Sequence, residues 1–111
     1  MIRVDAIWLA TEALDTRAGT ETALARVVAV FGVARPHYAY CFANRRASRM
    51  MVLVHGGIGV WLAARRLNRG KFAWADALHG PHVAVDGEQW QALVLGLSWQ
   101  HVAAAGAISV L

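Results

Sequence analysis

No carboxylate occurs between Thr22 and Ala75, although that stretch holds nine basic side chains: Arg26, Arg35, Arg45, Arg46, Arg49, Arg65, Arg66, Arg69 and Lys71. The seven acidic residues, Asp5, Glu12, Asp15, Glu21, Asp76, Asp86 and Glu88, all lie outside it. A polar surface made only of Arg and Lys cannot neutralise itself locally, so it projects a positive potential that draws in polyanions. The same absence excludes a metal-dependent centre within the stretch, because Mg²⁺ chemistry needs converging carboxylates. A nuclease reading would require Asp15, Asp76 and Asp86 to meet from its flanks.

Other shortages narrow the field. Cys41 is the single cysteine, which excludes an internal disulfide and fits a reducing cytoplasm, with the thiol expected as a small buried hydrophobe. Charged residues make up only 16% of the chain, against roughly 25% in an average soluble domain. Some of the surface is therefore expected to be apolar and to meet a partner or a second copy. The uncharged run from Met50 to Ala64 contains His55 and three glycines and falls short of the ~18 residues that a membrane-spanning helix needs. Met1 to Ala10 carries Arg3 and Asp5 with no long apolar segment following, so no secretory signal is expected.

What is present suits one small folded unit. The 111 residues are 58% hydrophobic, enough for a single core across residues 1–111. The order of patterns predicts an α+β fold, a mostly antiparallel sheet of short strands with two helices. Ile2, Val4, Ala6 and Trp8 alternate as in a half-buried strand, a pattern that decays by Leu9. Leu24, Val27, Val28 and Phe31 recur at helical spacing before Gly32, which predicts a helix over 21–31 ended by a glycine cap. Pro36 forbids its continuation.

Tyr38, Tyr40 and Phe42 then alternate with Ala39, Cys41 and Ala43, a strand with one aromatic and one small-residue face. Asn44 to Ser48 reads as a turn into a second strand, Arg49 to His55, with Arg45, Arg46 and Arg49 at the hairpin tip. Gly56, Gly57 and Gly59 mark the next turn. Val60 to Leu67 fits helix or strand equally. Asn68 to Gly70 is a turn before Lys71 to Trp74, read as a short final strand. Asp86 with Gln89 forms a capping box and Val85 with Trp90 a hydrophobic staple, so a second helix is expected over 87–95. The tail from His101 to Leu111 has no Asp, Glu, Lys or Arg and fits a final strand, an intermolecular contact or a sticky end.

Signatures of catalytic chemistry are sparse. His79 and His82 flank a Gly-Pro turn without a thiol or carboxylate pair, so solvated histidines are expected rather than metal ligands. Cys41 has His37 and His55 as conceivable bases but no nucleophile turn. The glycines around Ile58 match no phosphate-cradling loop. Among the five tryptophans, Trp61 and Trp90 have apolar neighbours and are expected in the core, while Trp74, beside Lys71 and Phe72, is the candidate for stacking on a base.

Five blocks in order carry a wider resemblance: IWLA from Ile7, DTRAG from Asp15, FANRRASRMMVL from Phe42, GVWLAARRLNRGKFAW from Gly59 and VDGEQWQALVLGLSW from Val85. Together they resemble the TnpB-type accessory protein of the bacterial insertion-sequence family numbered sixty-six, over Ile7 to Trp99. Asp15, Arg17 and Gly19 match one family block. Asn44, Arg45, Arg46 and Arg49 match its arginine-rich turn. Arg65, Arg66, Leu67, Gly70, Lys71 and Phe72 match a third block, with Asn68 where a glutamate is usual, and Gln89, Gly96 and Trp99 match the close.

The resemblance implies a non-catalytic helper of transposition, without cofactor or metal, working in the bacterial cytoplasm beside a separate transposase and a sister accessory protein. The residues expected to contact DNA, at element ends or non-specifically, are Arg45, Arg46, Arg49, Arg65, Arg66, Arg69 and Lys71, joined by Arg17. A protein–protein adaptor with little DNA affinity is the alternative. Self-association stays open.

Overall fold

A computed structural model describes residues 3–17, 19–56, 58–76, 78, 80–97 and 99. The readings placed on Ile2, Ala18, Gly57, His79 and the tail from His101 lie outside these residues. The elements run β1 (Ala6–Ala10), α1 (Thr20–Phe31), β2 (Tyr38–Ala43), β3 (Arg49–His55), β4 (Val60–Arg66), β5 (His82–Val85) and α2 (Gly87–Val94). The strands form one sheet in the order β4-β3-β2-β1-β5. β1 and β2 are parallel, joined through α1, and every other pairing is antiparallel. The α+β expectation thus holds, with one parallel pair inside a mostly antiparallel sheet.

Both faces of the sheet are covered, and strand alternation sorts the side chains between them. Ala10, Tyr40, Phe42, Met51 and Leu53 pack with Ala23 and Val27 of α1 on one face. Leu9, Cys41, Met50 and Val85 pack with Phe72, Ala92, Leu93 and Trp99 on the other. The even and odd positions of β2 therefore feed two different clusters, as its aromatic and small faces predict.

β1 begins later than its alternation suggests and runs on through Leu9 and Ala10, both fully buried. A strand flanked by β2 and β5 and covered above and below buries consecutive residues, so its period-2 signal fades where burial is greatest. In α1 the buried stripe is Ala23 and Val27, with Leu24, Val30 and Phe31 packed beside it, while Val28 is 47% exposed. The helix ends where Gly32 adopts φ 85° and returns its N–H to the Val28 carbonyl. α2 carries both arms of the capping box: Asp86 Oδ1 accepts from the Gln89 N–H at 2.8 Å, and Gln89 Oε1 accepts from the Asp86 N–H at 2.9 Å.

One segment left open between helix and strand is decided, and the expected final strand is corrected. Val60 to Arg66 is a strand, β4, because pairing with β3 along its whole length outweighs the helix preference of Ala, Leu and Arg. Lys71 to Trp74 forms no strand; single anchors hold it, with the Phe72 N–H on the Ala47 carbonyl at 2.6 Å and Trp74 Nε1–H on the Ala10 carbonyl at 2.7 Å. The final strand, preceding α2, is instead β5, whose four residues are too few to show alternation.

Candidate nucleic-acid interface

The β2–β3 turn is built around Asn44. Its Oδ1 accepts from the backbone N–H groups of Ser48 (3.0 Å) and Arg49 (3.2 Å), and its Nδ2 donates to Ser48 Oγ at 3.1 Å. Side-chain capping of this kind substitutes for ladder bonds that a turn cannot make. It holds Ala47 at φ 55° and fixes the directions in which Arg45, Arg46 and Arg49 leave the hairpin.

The loop between β1 and α1 folds against the same end of the sheet. Leu14 donates its N–H to the Ala43 carbonyl at 2.9 Å, and Leu14 and Thr16 are buried. Asp15 and Arg17 between and beyond them stay exposed and pair with each other at 3.2 Å. Hydrogen bonds from the Arg17 side chain and backbone hold the Asp15 carboxyl below the usual aspartate range, and the Arg49 charge adds to the effect.

A third element completes the wall. Arg66 of β4 lies directly opposite Arg49 of β3, and directly opposed residues share a face of the sheet. Arg17, Arg45, Arg46, Arg49 and Arg66 thereby line one open concavity of about 550 Å³, together with Asp15, Thr16, Asn44 and Ser48. Five guanidiniums face one carboxylate, and that carboxylate is already engaged by Arg17. Arg49 Nε is buried and has no hydrogen-bond partner among the described residues. Such an arrangement suits an anion with several acceptor oxygens, since a guanidinium meets phosphate through paired N–H bonds.

The other expected residues go elsewhere. Arg65 is opposite Met50, so it leaves β4 on the face away from Arg49 and Arg66. Arg69 and Lys71 are exposed in the connection after β4 and do not line the concavity. The two arginine groups are therefore not two equivalent hairpin tips; one hairpin recruits a loop and part of a strand. Thr16, Asn44 and Ser48 were not singled out by sequence as lining residues, although Asn44 at the start of a turn carries a legible signal.

Trp90 packs against the core as expected, while the assignments of Trp61 and Trp74 reverse. Trp74 is partly buried, packs against the core on the α2 face and donates to Ala10. Trp61 is 61% exposed on β4. Its sequence neighbours are apolar, but every residue of β4 after Val60 is exposed, so apolar neighbours along the chain did not mean a buried ring. His82 is not a solvated turn histidine: it lies in β5, stacks on Phe31 with centroids 5.0 Å apart and meets the Trp8 ring edge-on at 5.1 Å. Cys41 is fully buried and its thiol is pushed far up by desolvation, so it is no nucleophile. Among the described residues no group of three His, Cys, Asp or Glu side chains could hold a metal ion. No helix among them is long and apolar enough to cross a membrane.

Comparison with known proteins adds a lineage. Residues 5–104 match the family described as IS66 Orf2 like protein. The chain is also 31% identical over 96 residues to the uncharacterized protein y4hO of Sinorhizobium fredii, an alignment covering 86% of this chain and 83% of that protein. No solved structure matches.

Proposed function

The chain belongs to the IS66 Orf2-like family of transposition accessory proteins, and from that premise we propose that it binds DNA through the arginine-lined concavity at the β2–β3 turn. The observation that carries the reading is the convergence of Arg17, Arg45, Arg46, Arg49 and Arg66 on one surface whose sole carboxylate, Asp15, is already paired. In this reading the protein performs no chemistry of its own. It positions element DNA for a separate transposase, which supplies the carboxylates for metal-dependent strand transfer. Phosphate contacts fix register and orientation without reading sequence, so the concavity supplies affinity rather than base preference.

Counterion release gives the test. With five phosphate contacts, log affinity for duplex DNA falls with log salt at a slope of about −4 to −5. Replacing Arg45 and Arg46 together by alanine flattens that slope by about 2, because each lost contact removes about 0.9. Replacing Arg69 and Lys71, which lie outside the concavity, has the smaller effect. Failure to bind duplex or single-stranded DNA at low salt, or equal losses from the two double variants, overturns the proposal.

A second reading, an adaptor that joins the transposase to its sister protein, is favoured by one observation: Trp61 and Leu62 are exposed on β4. Under it, co-purification with the transposase survives loss of the arginines.

A further inference from the structure

β4 is an edge strand with nothing on its outer side among the described residues, and every residue in it after Val60 is exposed. Its middle, Trp61 to Ala64, is uncharged and free of proline. Natural sheets blunt such edges with inward charges, prolines, bulges or a covering segment, because bare N–H and C=O groups invite another strand. Here Arg65 and Arg66 guard one end alone.

The direction of the free groups follows from the ladder. The Gly56 N–H donates to the Gly59 carbonyl and the Leu67 N–H to the Ser48 carbonyl. With the β3–β4 register between them, residues 59, 61, 63, 65 and 67 bond to β3, because hydrogen-bonded and non-bonded pairs alternate in an antiparallel ladder. Val60, Leu62, Ala64 and Arg66 therefore point their backbone N–H and C=O groups outward.

We propose that β4 pairs antiparallel with β4 of a second copy across a twofold axis at Ala63, joining two sheets into one. This register sets Val60 opposite Arg66, Leu62 opposite Ala64, and Ala63 opposite itself. It is the one that uses the outward groups of all four residues, since any other even register leaves an end unpaired. It also sets Trp61 opposite Arg65 of the second copy, in a non-hydrogen-bonded pair where side chains approach most closely. A guanidinium over an indole face is a favourable pair, and symmetry makes it twice. Seven residues of one chain thus present a strand complementary to itself, in charge as well as in hydrogen bonding. The tail from His101 to Leu111 is a competing occupant of the same edge, but it has neither Lys nor Arg to meet Trp61 and no aromatic ring other than His101 to meet Arg65. The proposal is independent of DNA binding.

The register can be read covalently. Ala63→Cys places two thiols at directly opposed positions with Cα atoms about 4.5 Å apart in a non-hydrogen-bonded pair, within the ~4.4–6.8 Å that a disulfide tolerates. Mild oxidation should yield a covalent dimer from Ala63→Cys and not from Val60→Cys, and buried Cys41 does not compete. Light scattering on the unmodified chain should give twice the 12.0 kDa chain mass. Ala64→Pro removes an outward donor while sparing the bonds to β3, and should raise the dimer dissociation constant about tenfold or more, with circular dichroism unchanged. Trp61→Glu, which can pair with Arg65, should retain the dimer where Trp61→Lys loses it. A monomeric full chain, equal crosslinking at residues 60 and 63, or dimers that appear only when the tail is removed would each overturn the proposal. The last result would assign the edge to the tail.

Discussion

Ala47 occupies a left-handed conformation, φ 55°, at the tip of the arginine hairpin. A β-carbon in that region costs roughly 1–2 kcal/mol, which glycine avoids. Ala47→Gly is expected to stabilise the fold by about 0.5–1 kcal/mol, after allowing for the extra freedom glycine has in the unfolded chain, as measured by urea unfolding. Asp86 is the opposite case. Removing its carboxylate breaks the capping box of α2, and Asp86→Ala should cost about 1 kcal/mol in the same assay. Asp15 gives a titration signature. Its carboxyl is held low mainly by Arg17, so its contribution to the folded state is present above the unfolded-state value and is lost as pH falls through the lowered one. In Arg17→Gln the Asp15 titration followed by NMR should move up toward the ordinary aspartate range.

Elements with local signals were legible in the sequence, and elements defined by neighbours were not. α2 carries its start in Asp86 and Gln89. The β2–β3 hairpin carries its turn in Asn44 and its two faces in alternation. β4, β5 and the segment from Lys71 to Trp74 depend on what lies beside them, which no short window records. The candidate site follows the same division: Arg45, Arg46 and Arg49 were readable as a turn cluster. Arg17 and Arg66 were expected too, but their meeting the hairpin at one surface, and the separation of Arg65, Arg69 and Lys71 from it, depend on the sheet register and on the loop packed beneath it. Gly96 tests the element scale. It sits at φ 79°, where an added β-carbon would also come within 3.4 Å of Leu67 Cδ1. Gly96→Ala should therefore destabilise by about 1–2 kcal/mol, with strain rather than lost contact as the cause.

At the scale of the molecule, Leu9 and Phe42 stand for the two sides of the sheet, each essentially inaccessible in its own cluster. Truncating either to alanine should cost about 2–5 kcal/mol in urea unfolding. A transition that stays single and cooperative in both variants would mean that the two clusters unfold together through the strands they share.

β1 is made first and finished last. Its partners are β2 on one side and β5 on the other, with Ile7 opposite Val85. On the ribosome, the stretch from Ala43 to Val85 takes roughly 2–8 s to synthesise at about 5–20 residues per second. During that interval the nascent sheet holds a future interior strand as a bare edge, with Leu9 and Ala10 still awaiting part of their cover. A strand exposed in the nascent chain and buried only at completion is a place where chaperone binding, translation speed and premature association all compete for the same few residues.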